Sequence, residues 1–542
     1  MSKSYRMLSK SIPPGMSAPS PSTNAPRGHS RGTVLRIDVP FGALTAPQLR
    51  AVAGLFRRGH VVRLHCTTRQ NVELHLADAA VRDGTLRALE TLGLAPAGPG
   101  RHAFASPVVD PLAGVANDEE VDPKPLVELV MDWARVTAVF YGLPAKLKVG
   151  FSGAQEDRVG VHFQDVGVLA RHSEHGEARY DIFVGGGLGR KPRVGELRAS
   201  RLSARDVLAF LHALVVVYAA VADGVDPRRR RLGATVERIG DEAFFARVRA
   251  EVERAEWDVD AFLAARSREG RTPPKPRRSR PPTRGPRAAP QPLIGLARDR
   301  HLAAWLRRDV LPEANGDYAS VRVAVLGDDP WEEHHTAVRL EALGAAVDSF
   351  GDGSLWLSVR QDGWIRHVPR QRLVELHRAL TAEGVLGAPG SGSADVVACP
   401  GAPVCAKSNA SSFDVAGALR GVLRDVDAVH DLGVVRVGVS ACMNGCGLHH
   451  ASDIGLMGVS KRGEPHFQVS VGGHTGEGAR LGTVIGPAMS EQETLVAVRA
   501  VLEAYLRLRD PATEPLHQTF HRVGESAFLA AVRAVSVDRA KE

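Results

Sequence analysis

The chain has 542 residues, of which 44% are hydrophobic and 24% charged, with a formal net charge of +8 and five cysteines. That length supports two or more substantial cores, and so few cysteines exclude a disulfide-dense scaffold. The positive charge is local: "RSREGRTPPKPRRSRPPTRGPR", Arg266 to Arg287, holds nine Arg or Lys and one Glu, so the remainder is near neutral and nucleic-acid binding does not follow from it.

Residues 1–31 are rich in Ser and Pro and lack the apolar core of a signal peptide. They read as a disordered leader, and a cytoplasmic, reducing location is expected. A first half, 32–265, opens with the strand-like "GTVLRIDVP" and the helical "LTAPQLRAVAGLFRR". "VVRLHCTTRQNVELH" follows, with Arg63, Cys66, Arg69 and Gln70; Cys66 reads as an ordinary buried thiol. In "LPAKLKVGFSG", alternation puts Lys146 and Lys148 on one side of a strand. "VGGGLGRKPR" carries Gly185, Gly186, Gly187, Arg190, Lys191 and Arg193; its spacing fails the dinucleotide fingerprint, and it reads as backbone approaching an anionic cofactor. The half closes in helix, "SARDVLAFLHALVVVYAAVADG", whose apolar run from Ala213 is too short to span a bilayer, and no membrane association is expected. "RRRR", Arg228 to Arg231, comes next. Residues 266–297 read as a solvent-exposed Pro/Arg linker, and 298–542 as a second half.

The halves resemble each other. "VRLHCTTRQNVELH" matches "LWLSVRQDGWIRHV", with Arg69-Gln70 and Arg360-Gln361 291 residues apart. "YDIFVGGGLG" matches "FQVSVGGHTG", 287 apart, and "ERIGDEAFFARVRA" matches "HRVGESAFLAAVRA", 284 apart. Three matches in one order imply a duplicated mixed α/β module of α+β class, its copies related by pseudo-twofold symmetry with a ligand cleft between them.

Four cysteines fall in the second half as Cys399-x5-Cys405 and Cys442-x3-Cys446. Four thiolates amid Gly, Pro and Asn suit an iron–sulfur cube, which wants soft ligands and close backbone. A structural zinc site and unrelated buried thiols are the alternatives.

These cysteine pairs, with "TTRQN" and "LPAKLKVGFSG", resemble the metal-centre motifs of the sirohaem-dependent nitrite and sulfite reductases. The resemblance extends in patches from about Val34 to Ala534. It implies a [4Fe-4S] cluster on Cys399, Cys405, Cys442 and Cys446, with Cys446 shared with the iron of a sirohaem. It further implies Arg69, Lys124, Lys146 and Lys148 around a small oxyanion. Arg63, Gln70, Gly185, Gly186, Gly187, Arg190, Arg193, Arg229 and Asn444 become candidates for the eight-carboxylate cofactor. The implied activity is six-electron reduction of nitrite to ammonia or sulfite to sulfide by a monomer that takes electrons from ferredoxin or a similar one-electron donor. This sequence departs from the family at Ala105 and at Lys124, where arginines are expected, and at Met443 and Leu448. Precorrin-3B synthase, an oxygen-dependent side branch, and a non-catalytic sirohaem/iron–sulfur redox or sensor protein are the alternative readings.

Overall fold

The computed structural model describes residues 34–96, 106–140, 143–222, 224–226, 229–268, 299–327, 333–386, 394–402 and 404–539. The leader, nearly all of the Pro/Arg linker and Ala105 lie outside the described residues.

Among the described residues, nineteen strands build four sheets. The first consists of β1 (Val34–Asp38), β3 (Val61–Cys66), β4 (Val72–Leu76) and β5 (Ala95–Pro96), in order β3-β4-β1-β5. Strand β2 (Ala43–Thr45) leaves it and joins the third sheet. The second sheet comprises β6 (Val108–Val109), β7 (Val149–Ser152), β8 (Val166–His172), β9 (Ala178–Val184) and β10 (Glu196–Leu202), side by side in sequence order. The third holds β11 (Val310–Pro312), β12 (Tyr318–Ala324), β13 (Ser354–Leu357) and β14 (Asp362–Pro369), in order β11-β12-β14-β13-β2. The fourth holds β15 (Ala394–Ala398), β16 (Val435–Ser440), β17 (Ile454–Lys461), β18 (Glu464–Val471) and β19 (Thr483–Val484).

The second and fourth sheets repeat one topology. Three parallel strands lead into two antiparallel ones in each: β6, β7, β8 then β9, β10, and β15, β16, β17 then β18, β19. The duplication expected from the sequence is therefore present. The first and third sheets are joined more intimately. β2 pairs antiparallel with β13, placing Leu44 opposite Leu355. One apolar core takes Leu35, Ile37, Leu49 and Leu74 from the first copy and Leu340, Leu343, Leu355 and Ile365 from the second. The second and fourth sheets keep separate cores.

Local sequence explains the elements. In β1, Leu35 and Ile37 point into the core and Arg36 points out. The helix Ala46–Arg57 starts at a Thr45/Gln48 capping box with a proline in its first turn, and Glu491–Leu508 starts at a Ser490/Glu493 box. The helix Ala204–Ala222 is the one described helix long and apolar enough to cross a membrane; it is mostly buried in the core of the second sheet's layer. The helix Asp241–Arg268 packs against it and carries regular structure three residues into the segment read as linker.

Candidate functional site

The paired Arg-Gln motifs are best read from the glutamines. Gln70 and Gln361 both turn the backbone with positive φ, 57° and 69°. The Gln70 amide bonds both backbone groups of Val109, at 2.8 and 2.7 Å, and donates to the Leu357 carbonyl of the other copy at 2.8 Å. Gln361 does the same with Ala398, at 2.9 and 2.8 Å, and with the Cys66 carbonyl at 2.8 Å. Each glutamine thus staples a strand end of the other copy to the first strand of its own next sheet. Gln70 is 1% exposed, and both of its amide hydrogens are used by the fold.

Arg69 next to it is aimed differently. Its terminal nitrogens donate to Gln164 Oε1 at 2.7 Å and to the Ser106 carbonyl at 2.6 Å. Its buried Nε has no partner among the described residues. No carboxylate among the described residues forms an ion pair with it, and burial lowers its pKa to about 10. Lys146 and Lys148 flank Leu147, which is 1% exposed, so the two lysines share the other side of the segment as expected. Asp165 fixes this corner: Oδ2 accepts the Lys148 backbone N–H at 2.8 Å, and both carboxylate oxygens accept from Arg231 at 2.8 Å. Burial first, then the charges of Arg231 and Arg69, bring the Lys148 ammonium down to about 8. Burial and Arg36 lower Lys146 as well. Cys446 lies close enough to Lys146, Lys148 and Arg231 to act on all three electrostatically. The structure thus gathers Arg69, Lys146, Lys148 and Cys446, and adds Arg231.

The cysteines sit at the ends of the parallel strands β15 and β16. Cys399 is buried, Cys405 and Cys442 are half-buried and Cys446 is exposed. The Ala441 N–H donates to Cys399 Sγ at 3.1 Å, and the Asn444 N–H bonds the Cys442 sulfur. Burial pushes the Cys399 thiol up to about 11 and raises Cys442. The surrounding backbone is tight: a Cβ on Gly445 would lie 1.7 Å from the Leu188 carbonyl oxygen, and one on Gly447 would lie 1.9 Å from that of Val439. Thr68 donates to the Cys446 carbonyl at 3.2 Å, tying the first copy to this loop. Among the described residues no three ligating side chains converge as for a single metal ion. A cube spreads its four thiolates over four irons, so convergence on one point is not its requirement. Four free thiols, sulfur-directed N–H groups and glycine-lined backbone fit such a group. The Cys66 thiol lies apart in the shared core, raised to about 12 by burial.

Other sequence candidates are placed elsewhere. The Lys124 ammonium bonds the Ala113 carbonyl, lies 3.5 Å from Asp122 and faces the Trp356 ring. Its charged neighbours are Asp122, Arg366 and Glu119, so the partners described for this ammonium all belong to the fold. Arg193 donates to the Gly233 carbonyl at 3.0 Å and to Glu237 at 2.8 Å, clamping the helix Leu232–Ile239, and Lys191 reaches the same carboxylate. Arg190 is exposed against Met443, Nε to Sδ 3.2 Å. Arg229 is exposed, and Arg231, two residues on, is the arginine of that run beside Lys148. Arg63 lies buried beneath the Phe413 ring at 4.0 Å, its pKa lowered to about 10 by burial. Gly185 (φ 93°) and Gly186 form the sharp turn below Asp165, where a Cβ on Gly186 would meet the His162 and Gln164 carbonyls at 2.4 and 2.5 Å. Gly187 closes the loop by paired backbone bonds with Arg193, and Asn444 is exposed between the second pair of cysteines. The His449 and His450 rings lie 3.8 Å apart, tilted by 40°, and burial holds them neutral at about 3 and 4.

Comparison with known proteins gives three findings. A family profile described as "Nitrite and sulphite reductase 4Fe-4S domain" matches residues 102–256 and again 390–538, and one described as "Nitrite/Sulfite reductase ferredoxin-like half domain" matches 26–92. The chain is 24% identical to the ferredoxin–nitrite reductase of Leptolyngbya laminosa over 83% of its length and 82% of the relative's, and 24% identical to the chloroplastic enzyme of Spinacia oleracea over 88% and 76%. Its fold matches that of the NirA protein of Mycobacterium tuberculosis with a TM-score of 0.68, covering 91% of this chain and 84% of the other, at 22% identity.

Proposed function

This chain belongs to the nitrite and sulphite reductase family, and from that premise we propose that Cys399, Cys405, Cys442 and Cys446 hold a [4Fe-4S] cluster, that Cys446 also faces a sirohaem, and that nitrite is the substrate. The chain is an oxidoreductase built from a ferredoxin-like half domain and a duplicated 4Fe-4S domain, with a ferredoxin-type protein as electron donor. The observation that carries the site assignment is the placement of the one exposed cysteine, Cys446, beside Lys146, Lys148 and Arg231. Nitrite as substrate is supported by the activity named for the relatives.

The overall change is NO2⁻ + 6 e⁻ + 8 H⁺ → NH4⁺ + 2 H2O. When bound, the cofactors would supply single-electron transfer and a Lewis-acidic metal. The chain supplies charge and protons. Lys146 and Lys148 attract the anion and stabilise negative charge that develops as N–O bonds break. Arg69 forms no ion pair among the described residues and feels the Asp165 charge only at a distance, so its charge is available to the anion or to a cofactor carboxylate. Lys148, with a pKa near 8, is poised to give a proton to an oxygen leaving as water. Asp165 is a positioning residue: it holds Lys148 by its backbone and Arg231 by its side chain. Arg63 and Arg231 are cationic partners for cofactor carboxylates.

The test is an anaerobic absorption spectrum of protein made with sirohaem synthesis intact, followed by nitrite and sulfite turnover with reduced methyl viologen. Sirohaem bands over iron–sulfur absorption with nitrite reduction support the reading. A cluster without sirohaem in iron-replete protein overturns it, and sulfite turnover alone overturns the substrate. Because Lys148 must be protonated to act, kcat falls as pH rises through about 8, and Lys148→Arg moves that limb to higher pH.

A further inference from the structure

We propose that Ser106 and Asn71 set the charge of the anion site: they are positioning residues that leave the Arg69 guanidinium without an ion pair and available to nitrite, and they stand where the internal copy has Asp395 and Asp362. This rests on the reading above that the corner of Lys146, Lys148 and Cys446 takes the substrate. The register comes from the glutamine staples. Gln70 and Gln361 hold Val109 and Ala398, which are 289 residues apart. The same offset sets Ser106 opposite Asp395. The backbone contacts match. Arg69 Nη2 donates to the Ser106 carbonyl at 2.6 Å, and Arg360 Nη2 donates to the Asp395 carbonyl at 3.3 Å. The side chains differ. Arg360 Nε donates to both Asp395 carboxylate oxygens at 2.6 Å. The matching atom, Arg69 Nε, is buried and has no partner among the described residues. The donor that one corner spends on a carboxylate is left over at the other. An unpartnered buried donor costs free energy, and an anion held against the guanidinium offsets that cost.

Asn71 repeats the exchange. It follows Arg69 by two residues, as Asp362 follows Arg360. Asp362 lies 3.9 Å from Arg322 and is close enough to Arg360 to interact with its charge. Asn71 is neutral. Its Oδ1 accepts the Val39 N–H at 2.8 Å, and its Nδ2 donates to Asp38 Oδ1 at 3.4 Å. The Ser106 hydroxyl donates to the same Asp38 oxygen at 3.1 Å. The two residues therefore hold the Asp38 carboxylate on neutral donors. Gln164 completes the clasp on Arg69 with an amide oxygen, 2.7 Å from Nη1. Two carboxylates of one corner are thus a hydroxyl and an amide at the other, and each exchange removes a negative charge beside an arginine. A carboxylate next to a buried guanidinium competes directly with an incoming anion, because both draw on the same charge.

The test restores the carboxylate and compares it with a neutral side chain of the same shape. Ser106→Asp gives Arg69 the partner that Arg360 has, and Ser106→Asn gives the shape without the charge. In the loaded enzyme with reduced methyl viologen, Ser106→Asp has a nitrite KM at least about tenfold above that of Ser106→Asn, with a smaller difference in kcat. The nitrite dissociation constant, read from the absorption change on titration without donor, separates the two variants by a similar factor. Asn71→Asp, which is isosteric with the parent residue, raises both constants about threefold and carries the comparison should Ser106→Asp fail to fold. Thermal unfolding of the same preparations places the Ser106→Asp midpoint above that of Ser106→Asn, because only the aspartate pairs with Arg69. Equal nitrite constants in the two Ser106 variants overturn the charge-setting role. A Ser106→Asp midpoint at or below that of Ser106→Asn overturns it too, as does a loss of sirohaem in Ser106→Asp with nitrite constants unchanged. A parent enzyme that turns over neither nitrite nor sulfite overturns the proposed function instead, and the unfolding comparison, which needs no turnover, still decides whether position 106 governs the pairing of Arg69.

Discussion

The duplication sets two equivalent corners of the molecule side by side, and they have been treated in opposite ways. Asp165 and Asp453, 288 residues apart, accept the backbone N–H of Lys148 and of Arg436, both at 2.8 Å. The same offset sets Arg158 where the second half has Cys446. Val109 and Ala398 receive the glutamine staples, and the residues after them are Asp110 and Cys399. Two cysteine positions of the second half are therefore an ion pair in the first, Arg158 to Asp110 at 3.1 Å, with Asp118 2.9 Å from the same guanidinium. The cations follow suit. Arg360, partner of Arg69, is gripped by both oxygens of Asp395 at 2.6 Å, and Arg436, partner of Lys148, by Glu156 at 2.8 Å. A cavity of about 230 Å³ remains there, lined among others by Glu156, Arg158, Arg360, Asp395 and Arg436. Charge is cancelled within the protein at one corner. At the other, among the described residues, Arg69 donates only to neutral oxygens, and Lys146 and Lys148 are left for something else to satisfy.

The first way to break this contrast is Cys446→Ser. It is expected to abolish nitrite turnover, at least about 10³-fold, because it removes the proposed shared ligand; an unchanged absorption spectrum and iron content would refute that role. Lys146→Met should cut turnover by about 10²-fold with iron and haem content retained, measured on the same preparations, and unaltered turnover would remove Lys146 from the catalytic set. At the opposite corner, Arg158→Met leaves Asp110 and Asp118 without their cation. A loss of about 3–5 kcal/mol by chemical denaturation is expected, with turnover per loaded enzyme retained; equal stability would mean that the pair is not what fills the cysteine positions. The smallest effect sharpens the likeness instead of the difference. Gln70→Ala and Gln361→Ala each strand three backbone groups, and each should cost about 2–3 kcal/mol. A loss confined to cofactor content in Gln70→Ala alone would return that residue to the cofactor.

The duplication was legible because both copies keep the turn residues and apolar alternation of one fold. The cysteine set was legible because four of five cysteines cluster in a chain that uses them sparingly. Lys146 and Lys148 followed from alternation, and the structure keeps them together. Gln70 was not legible: its internal twin Gln361 hinted at a structural role, but only the paired contacts with Val109 and Ala398 reveal the staple. Four consecutive arginines offered no means of choosing Arg231 over Arg229, since the choice depends on where Asp165 lies. Lys124 carried the right charge but sits on the Trp356 side, committed to Ala113 and Asp122.

By itself, the sequence determined the repeated α/β design, the soft-ligand metal chemistry and the cationic character of the site, because each is written in residue types and local spacing. The tertiary structure decided which of two equivalent corners keeps its charge. That outcome rests on Asp110, Asp118, Glu156 and Asp395, which meet their arginines from 2 to 280 positions away in the chain. Coulomb interactions depend on distance in space and on burial, and neither can be read along the chain.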